Sequence, residues 1–243
     1  MEHLKLKRLS DIVTEKFQTA TVFEKYHLDY CCKGKRSLQQ ACEEQNVPLT
    51  KIVEDLNKIY TDEKQVVDFN EIKLTELADY IVQTHHSYVK KEMPQILAFL
   101  KKVSSKHGAK HPELFKITEL FTQLSIDMMN HMYQEENILF PRIKQIENVG
   151  NQHSSTLLVY DYIKLPIINM EIEHEQAGNM MAEINSLTNA YTPPADACTT
   201  FKLMYACLHA FEIDLHQHVH LENNILFPKA LQLEKDIQLT LKN

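Results

Sequence analysis

The chain is poor in turn-forming residues, with four glycines and eight prolines in 243 residues. A fold of many short strands needs frequent turns, so such a fold is disfavoured and long helices with few connections are expected. No run of about 18 uncharged apolar residues is present, which excludes a membrane-spanning helix. The opening MEHLKLKRLSDIV has no apolar core of the kind a signal peptide carries, so a cytoplasmic protein is expected. No basic stripe stands out, and the formal net charge of -7 gives no surface for nucleic acid. The five cysteines are odd in number and two, Cys31 and Cys32, are adjacent, which excludes a secreted disulfide framework. Cys198 and Cys207 stand in helical or pre-helical text and read as small buried apolar residues. What remains, 44% apolar and 24% charged residues, is a soluble globular balance of about one to two domains.

The text divides in two. Residues 1–60 carry short helical patterns around Leu9, Ile12, Val13 and Phe17, then 38–44, then Ile52, Val53, Leu56 and Ile59. Between the first two sits YHLDYCCKGKRS, a turn-rich stretch holding the cysteine pair. Residues 61–70 read as a polar linker. Residues 71–243 read as four long helices at about 72–105, 113–147, 155–189 and 195–235, broken near Gly108 and Pro112, at Gly150, and at Thr192-Pro193-Pro194. Pro94 is expected to kink the first, and Pro141 falls near the end of the second. The expected fold is all-α: a small helical domain followed by an antiparallel up-down four-helix bundle.

An internal repeat organises the bundle. HMYQEENILFPR (131–142) and HVHLENNILFPK (218–229) share His-x-x-x-Glu-x-Asn-Ile-Leu-Phe-Pro-basic, so the second and fourth helices carry one unit. His86 precedes His131 by 45 residues and His174 precedes His218 by 44, a pseudo-twofold spacing. His131 with Glu135, and His218 with Glu222, are four apart and share a helix face. A single such pair is usually a surface hydrogen bond; two copies, with a further histidine on each remaining helix, point to metal. Six inward ligands exceed the four of a structural zinc site. Two bridging glutamates with two histidines per ion make a balanced two-metal centre, and imidazole plus carboxylate in a bundle core indicates iron, with manganese as the other fit. Coordination positions remain for oxo, hydroxo, oxygen or nitric oxide. The Ile-Leu-Phe-Pro tails read as core packing and helix ends.

Several histidines stay open. His85 and His86 each sit in phase with an apolar stripe, so helical phase does not choose between them. His216 and His220 point about 200° away from His218 and read as surface residues. His107, His111, His153 and His209 have no partner at a useful spacing and read as structural or exposed. Asp127, one turn before His131, and Glu173, beside His174, are candidate acceptors for ligand imidazoles or lining for an access path. Cys31 and Cys32 lie close to Lys33, Lys35 and Arg36, cations that would favour a thiolate and so a redox or iron-handling role.

At this point the chain resembles the Repair of Iron Centres family, the hemerythrin-like di-iron proteins of iron–sulfur cluster repair, over essentially its whole length. The residues that carry the resemblance are Tyr26-His-Leu-Asp29-Tyr30-Cys31-Cys32-Lys-Gly34, His86 eight residues before Pro94, HMYQEENILFP, EIEHEQAG, TPP-x-x-A-C-T-T (192–200) and HVHLENNILFP. The resemblance implies His86, His131, Glu135, His174, His218 and Glu222 as ligands of two irons per chain in an oxo- and carboxylate-bridged centre, and it favours His86 over His85. It also implies a homodimer whose partners are iron–sulfur proteins damaged by oxidative or nitrosative stress. Oxygen-carrying hemerythrins have five histidines and two bridging carboxylates; this set has four and two.

Three functions fit these residues. The first is repair by iron donation, with Cys31 and Cys32 assisting. The second is an enzyme that reduces nitric oxide at the di-iron site, although no flavin or rubredoxin-like module is present to deliver electrons. The third is an oxygen or nitric oxide sensor or carrier, for which the cysteine domain would be unnecessary.

Overall fold

The computed structural model describes residues 2–61, 68–152 and 162–240. Among them every regular element is helical, and the only extended pairing is an isolated antiparallel bridge between Arg8 and Ser37. The short helices are α1 (Leu9–Glu15), α2 (Ala20–Lys25), α3 (Leu38–Glu44) and α4 (Leu49–Thr61). The later ones are α5 (Leu74–Ile81), α6 (Ser87–His107), α7 (Glu113–Gln134), α8 (Phe140–Gln152), α9 (Lys164–Leu187), α10 (Thr199–Leu221) and α11 (Phe227–Thr240). The chain forms two compact units.

One unit takes residues 1–78, 146–158 and 216–243. Its N-terminal helices close over Leu9, Ile12, Val13, Phe23, Leu38, Ile52 and Leu56, all fully buried. Helix α3 starts at Ser37, whose hydroxyl accepts the Gln40 N–H while the Gln40 side chain accepts the Ser37 N–H, a capping box that satisfies two otherwise orphaned donors. Gly34 is required by close approach. A Cβ there would stand 2.0 Å from the Tyr30 carbonyl oxygen and 2.9 Å from Ser10 Cβ. The Gly34 carbonyl in turn accepts the Ser10 N–H at 3.0 Å, tying the cysteine loop to α1. The start of α5 is capped from a distance: the Glu147 carboxylate accepts the N–H groups of Leu74 and Thr75 at 2.9 and 3.0 Å. Lys229 donates to the carbonyls of Asn70 and Ile72, both at 2.8 Å.

The other unit takes residues 79–145 and 159–215. Here α7 packs against both α6 and α9, and the short turn at 108–112 makes α6 and α7 antiparallel. Buried stripes at helical spacing supply the core: Val89, Met93, Ile96 and Leu100 on α6; Ile117, Phe121, Leu124 and Met128 on α7; Met170, Ala177, Met181 and Ile184 on α9; Phe201, Met204, Leu208, Phe211 and Leu215 on α10. Phe121 and Phe211 meet edge to face at 5.2 Å between centroids.

One break expected from sequence needs correction: Gly150 does not end a helix, since α8 runs through it to Gln152. The helical path also runs past Pro141 and Pro228, as expected, and α11 continues to Thr240. Both prolines are accommodated because each Phe-Pro pair follows a π-helical turn, Glu135–Leu139 and Glu222–Leu226. A proline inside an α-helix clashes with the carbonyl four residues earlier, and the wider π turn removes that clash. Asn137 Nδ2 then donates to the Tyr133 carbonyl at 2.8 Å within the turn. The beginning of the expected third helix, 155–161, lies outside the described residues, as do 62–67 of the expected linker; Tyr162 and Ile163 form a turn before α9. Helix α9 ends at Leu187, and the reversal before Pro193-Pro194 runs through Asn189, Ala190 and Tyr191, at φ of 49°, 52° and 55°.

Candidate metal centre

A third π turn, Val82–His86, joins α5 to α6. Each of the three π turns carries one of the expected ligands: His86, Glu135 and Glu222. Such turns are rare and gather at functional sites because they re-aim a side chain without ending the helix.

In the second unit, Glu135 is completely buried. Its Oε2 lies 3.3 Å from His86 Nε2 and 3.3 Å from His131 Nε2, so one carboxylate is flanked by rings from two helices. The far side of each ring is anchored. His86 Nδ1 pairs with Glu136 Oε1 at 2.8 Å, and His131 Nδ1 pairs with Glu173 Oε2 at 2.7 Å. With Nδ1–H donating to a carboxylate, each Nε2 directs its lone pair inward. His174 completes the group, its Nε2 2.9 Å from that of His131. Burying a carboxylate is costly without a compensating charge, and here the nitrogens of His86 and His131 are aimed at it. The donor set therefore fits a cation better than it fits itself. In the first unit, His218 Nε2 lies 3.0 Å from Glu222 Oε1, and both side chains are wholly buried.

Two carboxylates differ in their visibility from sequence. Glu173 is bonded to the ring of His131 rather than to its neighbour His174. Glu136 was not singled out, since its position in the second repeat is Asn223 and the shared pattern omits it. Burial works against its charge, yet the Lys90 ammonium at 2.6 Å and the His86 ring hold its carboxyl below the usual range. Asp127 is exposed, accepts from Gln123 Nε2 at 2.8 Å, and reaches no ligand ring by a hydrogen bond. It lines, with His131, Gln134, Glu173 and Met180, a cavity of about 270 Å³ beside His131. His85 is buried, with its Nδ1 2.9 Å from Asp214 Oδ1.

Two surface assignments are corrected. His220 is wholly buried, covered by the rings of Tyr30 at 5.6 Å and Phe17 at 6.1 Å, and burial pushes its pKa down to about 3. His216 is mostly buried and its Nδ1 meets Glu24 Oε1 at 3.1 Å. Both rings contact Tyr30, a long-range packing that helical phase does not reveal. Among the lone histidines, His111 bridges Glu113 and Asp196, and His209 stacks on Tyr191; His153 lies outside the described residues. Cys198 is exposed and Cys207 half-buried, so neither is a buried core residue.

The expected low-pKa thiolate is also corrected at Cys31. Burial, then the Cys32 thiol and the Asp29 carboxylate, push the Cys31 thiol well above its ordinary value. The nearest charged group is acidic: Asp29 Oδ1 lies 3.2 Å from Cys31 Sγ, while Arg36 is turned onto Glu44.

Comparison with known proteins places these groups in a shared context. Residues 77–230 match the Hemerythrin HHE cation binding domain, a span that includes all six candidate ligands, and residues 5–60 match a Domain of Unknown function (DUF542). A "Probable iron-sulfur cluster repair protein" of Haemophilus influenzae is 33% identical over 227 residues, covering 93% of this chain and 96% of that protein. "Iron-sulfur cluster repair protein YtfE" of Escherichia coli O81 is 35% identical over 214 residues, 88% of this chain and 91% of that protein. The protein of the same name in Yersinia pseudotuberculosis is 32% identical over 217 residues, 89% and 93% of the two chains.

Proposed function

This chain belongs to the Repair of Iron Centres family of iron–sulfur cluster repair proteins, and we propose that it restores damaged clusters with iron held by His86, His131, Glu135, His174, His218 and Glu222. The observation that carries this reading is the buried Glu135 carboxylate between the inward nitrogens of His86 and His131. The repeat gives His218 and Glu222 the same roles, and the matched cation-binding span supports a single centre made from both repeats. Two carboxylates able to bridge and four imidazoles divide evenly over two ions, and nitrogen–oxygen ligation in a helical bundle favours iron.

An iron pair would supply a centre whose grip on its ions depends on oxidation state. The protein's own groups set the rest. Glu136 and Glu173 fix the tautomer and aim of His86 and His131. The buried core of α6, α7, α9 and α10 holds the rings rigid, and the cavity at Asp127, His131 and Glu173 gives solvent a way to one ligand. Iron leaving for a damaged cluster is the cargo of the reaction, and Cys31 and Cys32 assist by handling iron or electrons. The protein acts in the cytoplasm and as a homodimer. In support of a dimer, Leu165, Ile168 and Ile172 form an exposed apolar stripe on α9.

The test is delivery. Protein loaded with labelled ferrous iron is mixed with an apo-cluster protein under reducing conditions. The label should move to the acceptor and its cluster-dependent activity should return; retention of the label by this chain counts against donation.

A second reading, nitric oxide reduction at the same site, draws on the same cavity, which has room for a small ligand beside His131. Multiple-turnover nitrous oxide formation with an electron donor would promote it.

A further inference from the structure

We propose that Asp29, Cys31 and Cys32 form a second metal site that takes one thiophilic divalent cation. In the working protein that cation would be ferrous iron in transit, an identification that rests on the repair reading above.

The three residues present ligand atoms within 4.8 Å of one another. The two Sγ atoms are 3.6 Å apart. Two thiolates about 2.3 Å from one tetrahedral ion are about 3.8 Å apart, so the pair stands near chelating separation although the residues are adjacent. Asp29 Oδ1 lies 3.2 Å from Cys31 Sγ, within reach of the same ion. The carboxylate is fixed by two donors, the N–H groups of Cys31 and Cys32, each at 3.0 Å. The loop itself is held by Gly34 against Tyr30 and by the Ser10 N–H on the Gly34 carbonyl. Preorganisation of this kind favours binding, since little ordering entropy is lost.

Exposure suits entry and exit. Cys31 is buried but Cys32 and Asp29 are half-buried, so an ion reaches the sulfurs from solvent. Three ligands leave a fourth tetrahedral position for water or for a thiolate of an acceptor. The neighbouring Tyr30 ring packs on His216 and His220, which flank His218 on α10. Binding is an exchange of one divalent cation for two thiol protons, with no change of oxidation state.

The experiment uses the full chain with its bundle iron in place, titrated anaerobically with cobalt(II). A thiolate-to-cobalt charge-transfer band should saturate at one equivalent, with about two protons released per cobalt at neutral pH. C32S should abolish the band. D29N keeps the oxygen that caps the loop but loses the charge, and should weaken binding about tenfold or more. Absence of the band in the wild type, or equal affinity in D29N, overturns the proposal. Iron delivery is measured in the same samples. A band without delivery contradicts the repair reading alone, and delivery without a band contradicts this site alone.

Discussion

The Nε2 atoms of His131 and His174 stand 2.9 Å apart, on rings from α7 and α9 tilted 60° to each other. Two nitrogens about 2.1 Å from one ion and at right angles are about 3.0 Å apart, which is the separation found. The opposite nitrogen of His131 is committed to Glu173, so its inner nitrogen can accept an N–H from His174 or bind a metal ion. The same groups fit a cation, and the expected consequences differ between loaded and metal-free protein.

Glu135→Gln exchanges a buried carboxylate for a neutral amide of the same shape. Metal-free protein should gain stability, because the substitution removes a buried charge while keeping the side-chain shape. The iron-loaded protein should lose iron and melt lower. Thermal melts with and without chelator check both signs together; a variant that keeps full iron content refutes the role given to Glu135.

Glu136→Gln and Glu173→Gln leave every direct ligand intact but remove the carboxylates behind His86 and His131. Iron affinity should fall about 10- to 100-fold in each, with the helical circular dichroism unchanged. Competition with a chelator of known affinity measures this, and unchanged affinity would mean that neither carboxylate helps to hold the ligand rings.

Much of this centre is legible in the sequence because metal ligation needs particular side chains at particular spacing. Two His-x-x-x-Glu units and two upstream histidines satisfy that need visibly. The π turns are not legible, although they explain how the helical path passes Pro141 and Pro228. His85 and His86 cannot be separated by phase because Val82–His86 is itself a π turn, which breaks the 100° step on which phase depends. In the folded chain His86 lies against Glu135 and His85 against Asp214. Glu136 escapes notice because its counterpart is Asn223. At Cys31 the nearby lysines are conspicuous in sequence, yet burial and Asp29 dominate. The cover of Tyr30 over His220 joins residues 190 apart, beyond any local pattern.

The Glu147 cap on α5 gives a pH dependence of its own. Burial raises its carboxyl, but the N–H donors of Thr75 and Leu74 and the charge of Lys73 outweigh this and hold it below the usual range. A depressed folded-state pKa means that the stabilisation is full above the ordinary glutamate pKa of about 4.3 and is lost as pH falls through the lower folded value. Glu147→Gln should cost about 1 kcal/mol at neutral pH and flatten the acid limb of the stability curve. Urea unfolding at several pH values checks it; equal acid sensitivity in both proteins contradicts the cap.

Gly34→Ala introduces a Cβ against the Tyr30 carbonyl and Ser10. The contact is with backbone, so the loop must move, at a cost of about 1–3 kcal/mol. Chemical denaturation reads the loss. Cys31 and Cys32 should also gain exposure, seen as faster thiol labelling than in wild type; unchanged labelling would mean that the loop tolerates the methyl group.

The most direct measurement is iron content with Mössbauer spectroscopy on the purified full-length protein. Two irons per chain in one spin-coupled pair, falling together in Glu135→Gln and Glu222→Gln, is the expected result. A single iron, two uncoupled irons, or a pair that survives both substitutions would contradict a shared centre bridged by the two glutamates.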